Sequence, residues 1–113
     1  MNMTDYQGLA QRTSATSDRM DKIRNGCMGL AGEAGECIDL LKKHDYQGHA
    51  LNNDKLAEEL GDVLWYCAEL AAGLGISLER IAWRNVEKLR RRFPDGFSAD
   101  RSINRAEDAN GGI

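Results

Sequence analysis

Proline is almost missing from this chain. Pro94 is the only one in 113 residues, so helices can run unbroken nearly to that point. Histidine is scarce as well: His44 and His49 both fall in the polar stretch KHDYQGHALNND and read as solvent-exposed loop residues. Cys27, Cys37 and Cys67 are odd in number and form no Cys-x-x-Cys pair. That argues against a zinc site or a disulfide framework. Cys37 and Cys67 fit instead as small hydrophobes on the apolar faces of helices in a reducing compartment. No apolar run approaches the length of a membrane span. The N-terminus, MNMTDYQGLAQRTS, is polar where a signal peptide needs an apolar core. A cytoplasmic protein with no membrane partner is expected. The net charge of -3 provides no global basic field, which excludes a general nucleic-acid binder. There is no Gly-x-x-x-x-Gly-Lys phosphate loop, no alternating strand pattern and no internal repeat.

What is present is helical periodicity. Hydrophobic residues make up 42% of the chain and charged residues 29%, a composition typical of a globular domain. Thr4 with Gln7 resembles a capping box and predicts a first helix over 4–23. A second is expected from Asn25 to His44, with Leu30, Ala34, Cys37, Ile38 and Leu41 on its apolar face. Gly29, Gly32 and Gly35 each weaken it by about 1 kcal/mol against alanine, so they suggest close approach of a backbone or a ligand. A loop over Asp45–Asn53 follows. Asn53 or Asp54 can cap a third helix, whose period is the cleanest: Leu56, Leu60, Val63, Leu64, Cys67, Leu70, Ala71, Leu74. Gly73 and Gly75 end it. Ser77 is the expected cap of a fourth helix, with Ile76 and Ile81 as its staple, and Pro94-Asp95-Gly96 stops that helix. From Ser98 the chain is polar. One domain over 1–105 is expected, with a polar, mobile tail over 106–113.

Two acidic pairs stand out from this pattern, Glu33-Ala-Gly-Glu36 and Glu59-Leu-Gly-Asp62. A step of three puts both carboxylates of a pair on one helix face, where like charges repel and folding alone does not favour them. On the third helix Glu59, Asp62, Tyr66 and Glu69 form one stripe at the edge of the apolar face, while Glu58 lies further toward solvent; Glu59 is therefore the better partner for Asp62. Two such pairs facing each other would form an oxygen-only cage, suited to Mg²⁺, with Mn²⁺ as a substitute, rather than to zinc or iron. The Glu-x-x-His of di-iron bundles is lacking. Such magnesium sites serve phosphoryl chemistry, in which the metal neutralises phosphate charge and lowers the pKa of the attacking water. Cationic side chains are available in Lys42 and Lys43, and in Arg84, Lys88, Arg90, Arg91 and Arg92. Asn85 and Lys88, one helical step apart, are the better candidates for ligand contact. The arginines serve equally well as a solvated face complementing the helix dipole.

The order Glu-x-x-Glu, 22 intervening residues, Glu-x-x-Asp resembles the MazG-like branch of the all-α nucleoside triphosphate pyrophosphohydrolases. The likeness is strongest around GLAGEAGE, EELGDVLWY and LGISLERIAWRNVEKLRRRFPDGF, and extends from Tyr6 to about Arg105. It implies an all-α bundle of four to five helices, associating as a homodimer or as a dimer of dimers, a homotetramer. It further implies that Glu33, Glu36, Glu59 and Asp62 are the catalytic, Mg²⁺-holding acids. Tyr66, Asn85 and Lys88 would then contact a nucleoside triphosphate, which water cleaves at the α-phosphorus to the monophosphate and pyrophosphate; Lys43, a cation at the end of the second helix, is expected to join Lys88 in balancing phosphate charge. Phosphoribosyl-ATP pyrophosphatase is similar to the same superfamily and is the alternative within this chemistry. A non-catalytic helical regulatory dimer retaining a structural metal is the alternative outside it.

Overall fold

Asn2 opens the first helix. Its side chain accepts from the Asp5 amide at 2.8 Å while Asp5 reaches back to the Asn2 amide at 3.5 Å, a reciprocal cap set two residues earlier than Thr4 would place it. The structure, a computed structural model, describes residues 1–105; the tail expected over 106–113 lies outside them. Among the described residues there are five helices and no strand: α1 Met3–Gln11, α2 Arg19–Gln47, α3 Asn53–Leu74, α4 Leu78–Arg92 and α5 Ala99–Ile103. The all-α expectation holds.

Several boundaries differ from those expected. The helix expected over 4–23 breaks after Gln11, because Thr13, Ser14, Thr16 and Ser17 carry hydroxyls that compete for helical hydrogen bonds. Here Thr13 Oγ1 donates to the Ala10 carbonyl at 2.7 Å. Asp18 then caps α2, accepting from the Asp21 amide at 3.2 Å, so this helix starts well before Asn25. It also outlasts His44 and ends on Gly48, whose φ of 76° is the left-handed conformation glycine adopts cheaply. His44 is therefore helical rather than in a loop, and its Nδ1 donates to the His49 carbonyl at 2.8 Å. Asn52, not Asn53 or Asp54, caps α3, and Gly75 at φ 72° closes it. The polar stretch after Ser98 is not all tail: it forms α5, whose Arg101 donates to the Arg92 carbonyl at 2.7 Å across the end of α4.

The chain divides into two compact units, Met1–Leu78 and Glu79–Ile113. In the first, α3 packs against both α2 and α1. The α2–α3 contact is built on small residues. A Cβ on Gly26 would lie 2.8 Å from the backbone of Leu70, and one on Gly73 would lie 2.9 Å from the Ile23 nitrogen. The buried apolar residues are Ala10, Ala68, Ala71 and Leu78, so the helices meet nearly backbone to backbone. Gln7 ties α1 to the α3–α4 turn, donating to the Ile76 carbonyl at 3.2 Å and accepting from the Leu78 amide at 2.7 Å. Gln7 is thus a long-range clasp rather than a helix cap. In the second unit α4 sets Arg90 over the Trp83 ring at 5.9 Å, and Phe93 contacts Phe97. No helix among the described residues is long and apolar enough to cross a membrane.

Candidate functional site

Because α2 and α3 approach so closely, the acidic edges of both helices share one face. Glu33 from α2 and Glu59 and Asp62 from α3 each bring a carboxylate oxygen within 4.8 Å of the others. Lys55 touches Glu59 at 3.5 Å, and the Glu59 side chain is only 13% exposed. Glu58 is 66% exposed and pairs outward with Lys55. The Glu33 carboxyl is raised above the usual carboxylate range, by desolvation first, then by sharing a hydrogen bond with Glu59 and by the charges of Asp62, Glu59 and Glu36. Three mutually repelling carboxylates, oxygen-only and without a histidine or thiolate in the cluster, form a donor set that fits a hard divalent cation. Glu36 stands outside this close triad, exposed on the next turn of α2, near enough for its charge to act on Glu33.

The other candidates lie on α2, α3 and α4. Tyr66 packs its ring where a Cβ on Gly29 would sit. That accounts for one glycine of the Gly29, Gly32, Gly35 series; the other two face open space. Lys43 is occupied within its own helix, 2.9 Å from Asp39, and that contact raises its pKa. In the second unit Asn85 and Lys88 share a groove of about 400 Å³ with Ile81, Arg84, Glu87 and Arg91. Cys37 and Cys67 are half-buried rather than buried, and Cys27 is exposed. Burial pushes the Cys67 thiol up.

Three residues had no functional assignment in the sequence. A cleft of about 350 Å³ beside the acids is lined by Thr13, Glu33, Asp62, Trp65 and Tyr66. Trp65 and Thr13 could have been found only through the break after Gln11, which brings residue 13 back to α3. Glu69, expected at the edge of the apolar face with Asp62, is completely buried. It accepts from Gln11 Nε2 (2.9 Å), Ser14 Oγ (2.8 Å), Thr16 Oγ1 (2.9 Å) and Asn25 Nδ2 (2.9 Å), with Lys22 at 3.6 Å. Burial pushes its carboxyl up, but these hydrogen bonds outweigh burial and hold it down at about 2. Glu69 is the structural acid of the stripe, and Glu59 and Asp62 are the pair left to gather with Glu33.

Comparison with known proteins places the chain in a family. The model of the "MazG nucleotide pyrophosphohydrolase domain" matches residues 23–97, a span holding α3, α4 and nearly all of α2. The "Gene 37 protein" of Mycobacterium phage L5 is 39% identical over 114 residues, covering 93% of this chain and 100% of that protein. No solved structure matches the chain significantly. On the strength of both matches, the chain belongs to the MazG nucleotide pyrophosphohydrolase family.

Proposed function

We propose that this protein hydrolyses a nucleoside or deoxynucleoside triphosphate to the monophosphate and pyrophosphate, with Mg²⁺ or Mn²⁺ as cofactor, in the cytoplasm. The observation that carries this is the gathering of Glu33, Glu59 and Asp62 oxygens within 4.8 Å across two helices, inside the segment that matches the family. Those three acids, with Glu36 on the next turn, would hold the cation. Bound there, a divalent ion neutralises phosphate charge and makes water a better nucleophile at neutral pH. The protein's own part is binding and orientation. Lys43 and Tyr66 in the first unit, and Asn85 and Lys88 in the second, are each proposed as contacts of the nucleotide, with the two lysines balancing phosphate charge. Water adds its oxygen to the α-phosphorus, the α–β bridging P–O bond breaks, and the electron pair leaves with pyrophosphate.

A second copy of the chain is part of this proposal, as a homodimer or homotetramer. Ile38 on α2 is 67% exposed and Leu60 on α3 62%. Met28, Leu41 and Leu64 are exposed on the same two helices, more apolar surface than a helical pair usually leaves in water.

The test is the position of the cut. Run in ¹⁸O-water and read by ³¹P NMR and mass spectrometry, the reaction should place label in the monophosphate alone, with no diphosphate intermediate. Labelled orthophosphate with a nucleoside diphosphate would mean attack at the γ-phosphorus. Label in the pyrophosphate would mean attack at the β-phosphorus. Either result overturns the proposal.

A further inference from the structure

The cleft beside the acids has a second wall, formed by Trp65 and Tyr66, of which the chemistry above uses only Tyr66. Trp65 and Tyr66 follow Asp62 by three and four residues, so α3 places both rings on the same face as the acid, one turn along. Their rings meet edge to face, with centroids 4.9 Å apart and planes at 80°. Neither ring is free to swing. Tyr66 is seated against Gly29. The Trp65 indole N–H donates to Thr13 Oγ1 at 2.8 Å, and that hydroxyl donates in turn to the Ala10 carbonyl at 2.7 Å. A tryptophan whose only polar atom is already satisfied presents nothing but π surface. It also remains half-buried along the cleft instead of covered as a core side chain would be.

We infer that Trp65, fixed by Thr13, is the platform on which the substrate's nucleobase stacks while its phosphates lie at the acids. This rests on the triphosphate reading above and deepens it. The cleft of about 350 Å³ falls at the small end of the range for sites that enclose organic ligands. Every base has a π face, and stacking on a ring is tolerant of base identity. With the indole N–H and the Thr13 hydroxyl both engaged, this wall supplies affinity for a base and little discrimination among bases. Pre-fixing the ring by two hydrogen bonds lowers the ordering cost of binding.

The experiment uses the whole chain carrying Trp83→Phe, which leaves Trp65 as the sole indole; Trp83 is exposed in the other unit. The probes are the four α,β-imido deoxynucleoside triphosphates, which resist the cut, and tripolyphosphate, which has no base, each with Mg²⁺. At least one nucleotide should quench Trp65 fluorescence saturably and shield it from acrylamide, and tripolyphosphate should do neither. By calorimetry Trp65→Leu should weaken the nucleotide about tenfold or more and leave tripolyphosphate within about twofold. Trp65→Phe, which keeps a ring, should restore most of the loss. Should the leucine variant fail to fold by circular dichroism, the acrylamide arm decides alone, since it needs no change at position 65. Nucleotide and tripolyphosphate binding with Trp65 unquenched and unshielded overturns the base platform and leaves the triphosphate reading standing. No binding of either probe overturns both.

Discussion

Replacing Glu69 with glutamine tests whether that buried acid holds the N-terminal half of the fold together. Solvent does not reach its side chain, and its carboxyl is held at about 2 against an ordinary 4.5. At about 1.36 kcal/mol per pH unit, that difference corresponds to about 3 kcal/mol of stability. The sign follows from the direction. The native carboxyl is harder to protonate than the unfolded one, so the stabilisation is complete above pH 4.5 and is lost as pH falls from there to about 2. Glutamine keeps the shape but offers one acceptor oxygen where Gln11, Ser14, Thr16, Asn25 and Lys22 converge on two. Its amide hydrogens would meet other donors, and Lys22 would lose its countercharge. The assay is urea unfolding of wild type and Glu69→Gln at matched protein concentration, followed by circular dichroism from pH 7 to pH 3. The gap between them should be about 3 kcal/mol at pH 7 and about half that by pH 3. Because every other carboxylate titrates in both proteins, the narrowing isolates residue 69. A gap below about 1 kcal/mol at pH 7, or one that stays constant on acidification, would refute the reasoning.

Further outcomes follow from the packing and from the site. Gly26→Ala should destabilise by about 1–3 kcal/mol through overpacking, since the new methyl meets the Leu70 backbone at 2.8 Å. Gly32→Ala, which faces open space, should instead stabilise α2 by up to about 1 kcal/mol; equal thermal shifts in the two variants would contradict the α2–α3 approach. Glu36→Gln and Asp62→Asn should each lower kcat more than tenfold with unchanged helical circular dichroism, whereas Glu58→Gln should retain it. Steady-state assays that find either of the first two above a tenth of wild type remove that residue from the site. Activity should vanish in EDTA and return with excess Mg²⁺ or Mn²⁺, because an oxygen-only donor set prefers hard cations. Full turnover in metal-free buffer would refute the metal assignment.

Much of this protein could be read without coordinates, and the exceptions have a common cause. The all-helical class, the stops at Gly75 and Pro94, and the placing of each acidic pair on one helix face follow from local periodicity and backbone chemistry, which any stretch of chain carries by itself. The resemblance that identified the family was carried by contiguous motifs as well. Boundaries fared worse where side chains served distant partners. Gln7 had the spacing of a cap but clasps the α3–α4 turn. The hydroxyls of residues 13–16 ended α1 and turned toward Trp65 and Glu69. Glu59, Asp62 and Glu69 fall in one stripe at the edge of the apolar face, so periodicity had no means of telling which would be buried. Tertiary packing separated them. Where the segment from Gln11 to Asn25 folds over α3 with five donors, a carboxylate can be buried as an ion; two and nearly three turns away, the same stripe turns toward Glu33 instead, and its acids gather with that one. Which acid is buried as a structural ion and which gather with Glu33 depends on what lies opposite each one, and that is known only when the chain has folded.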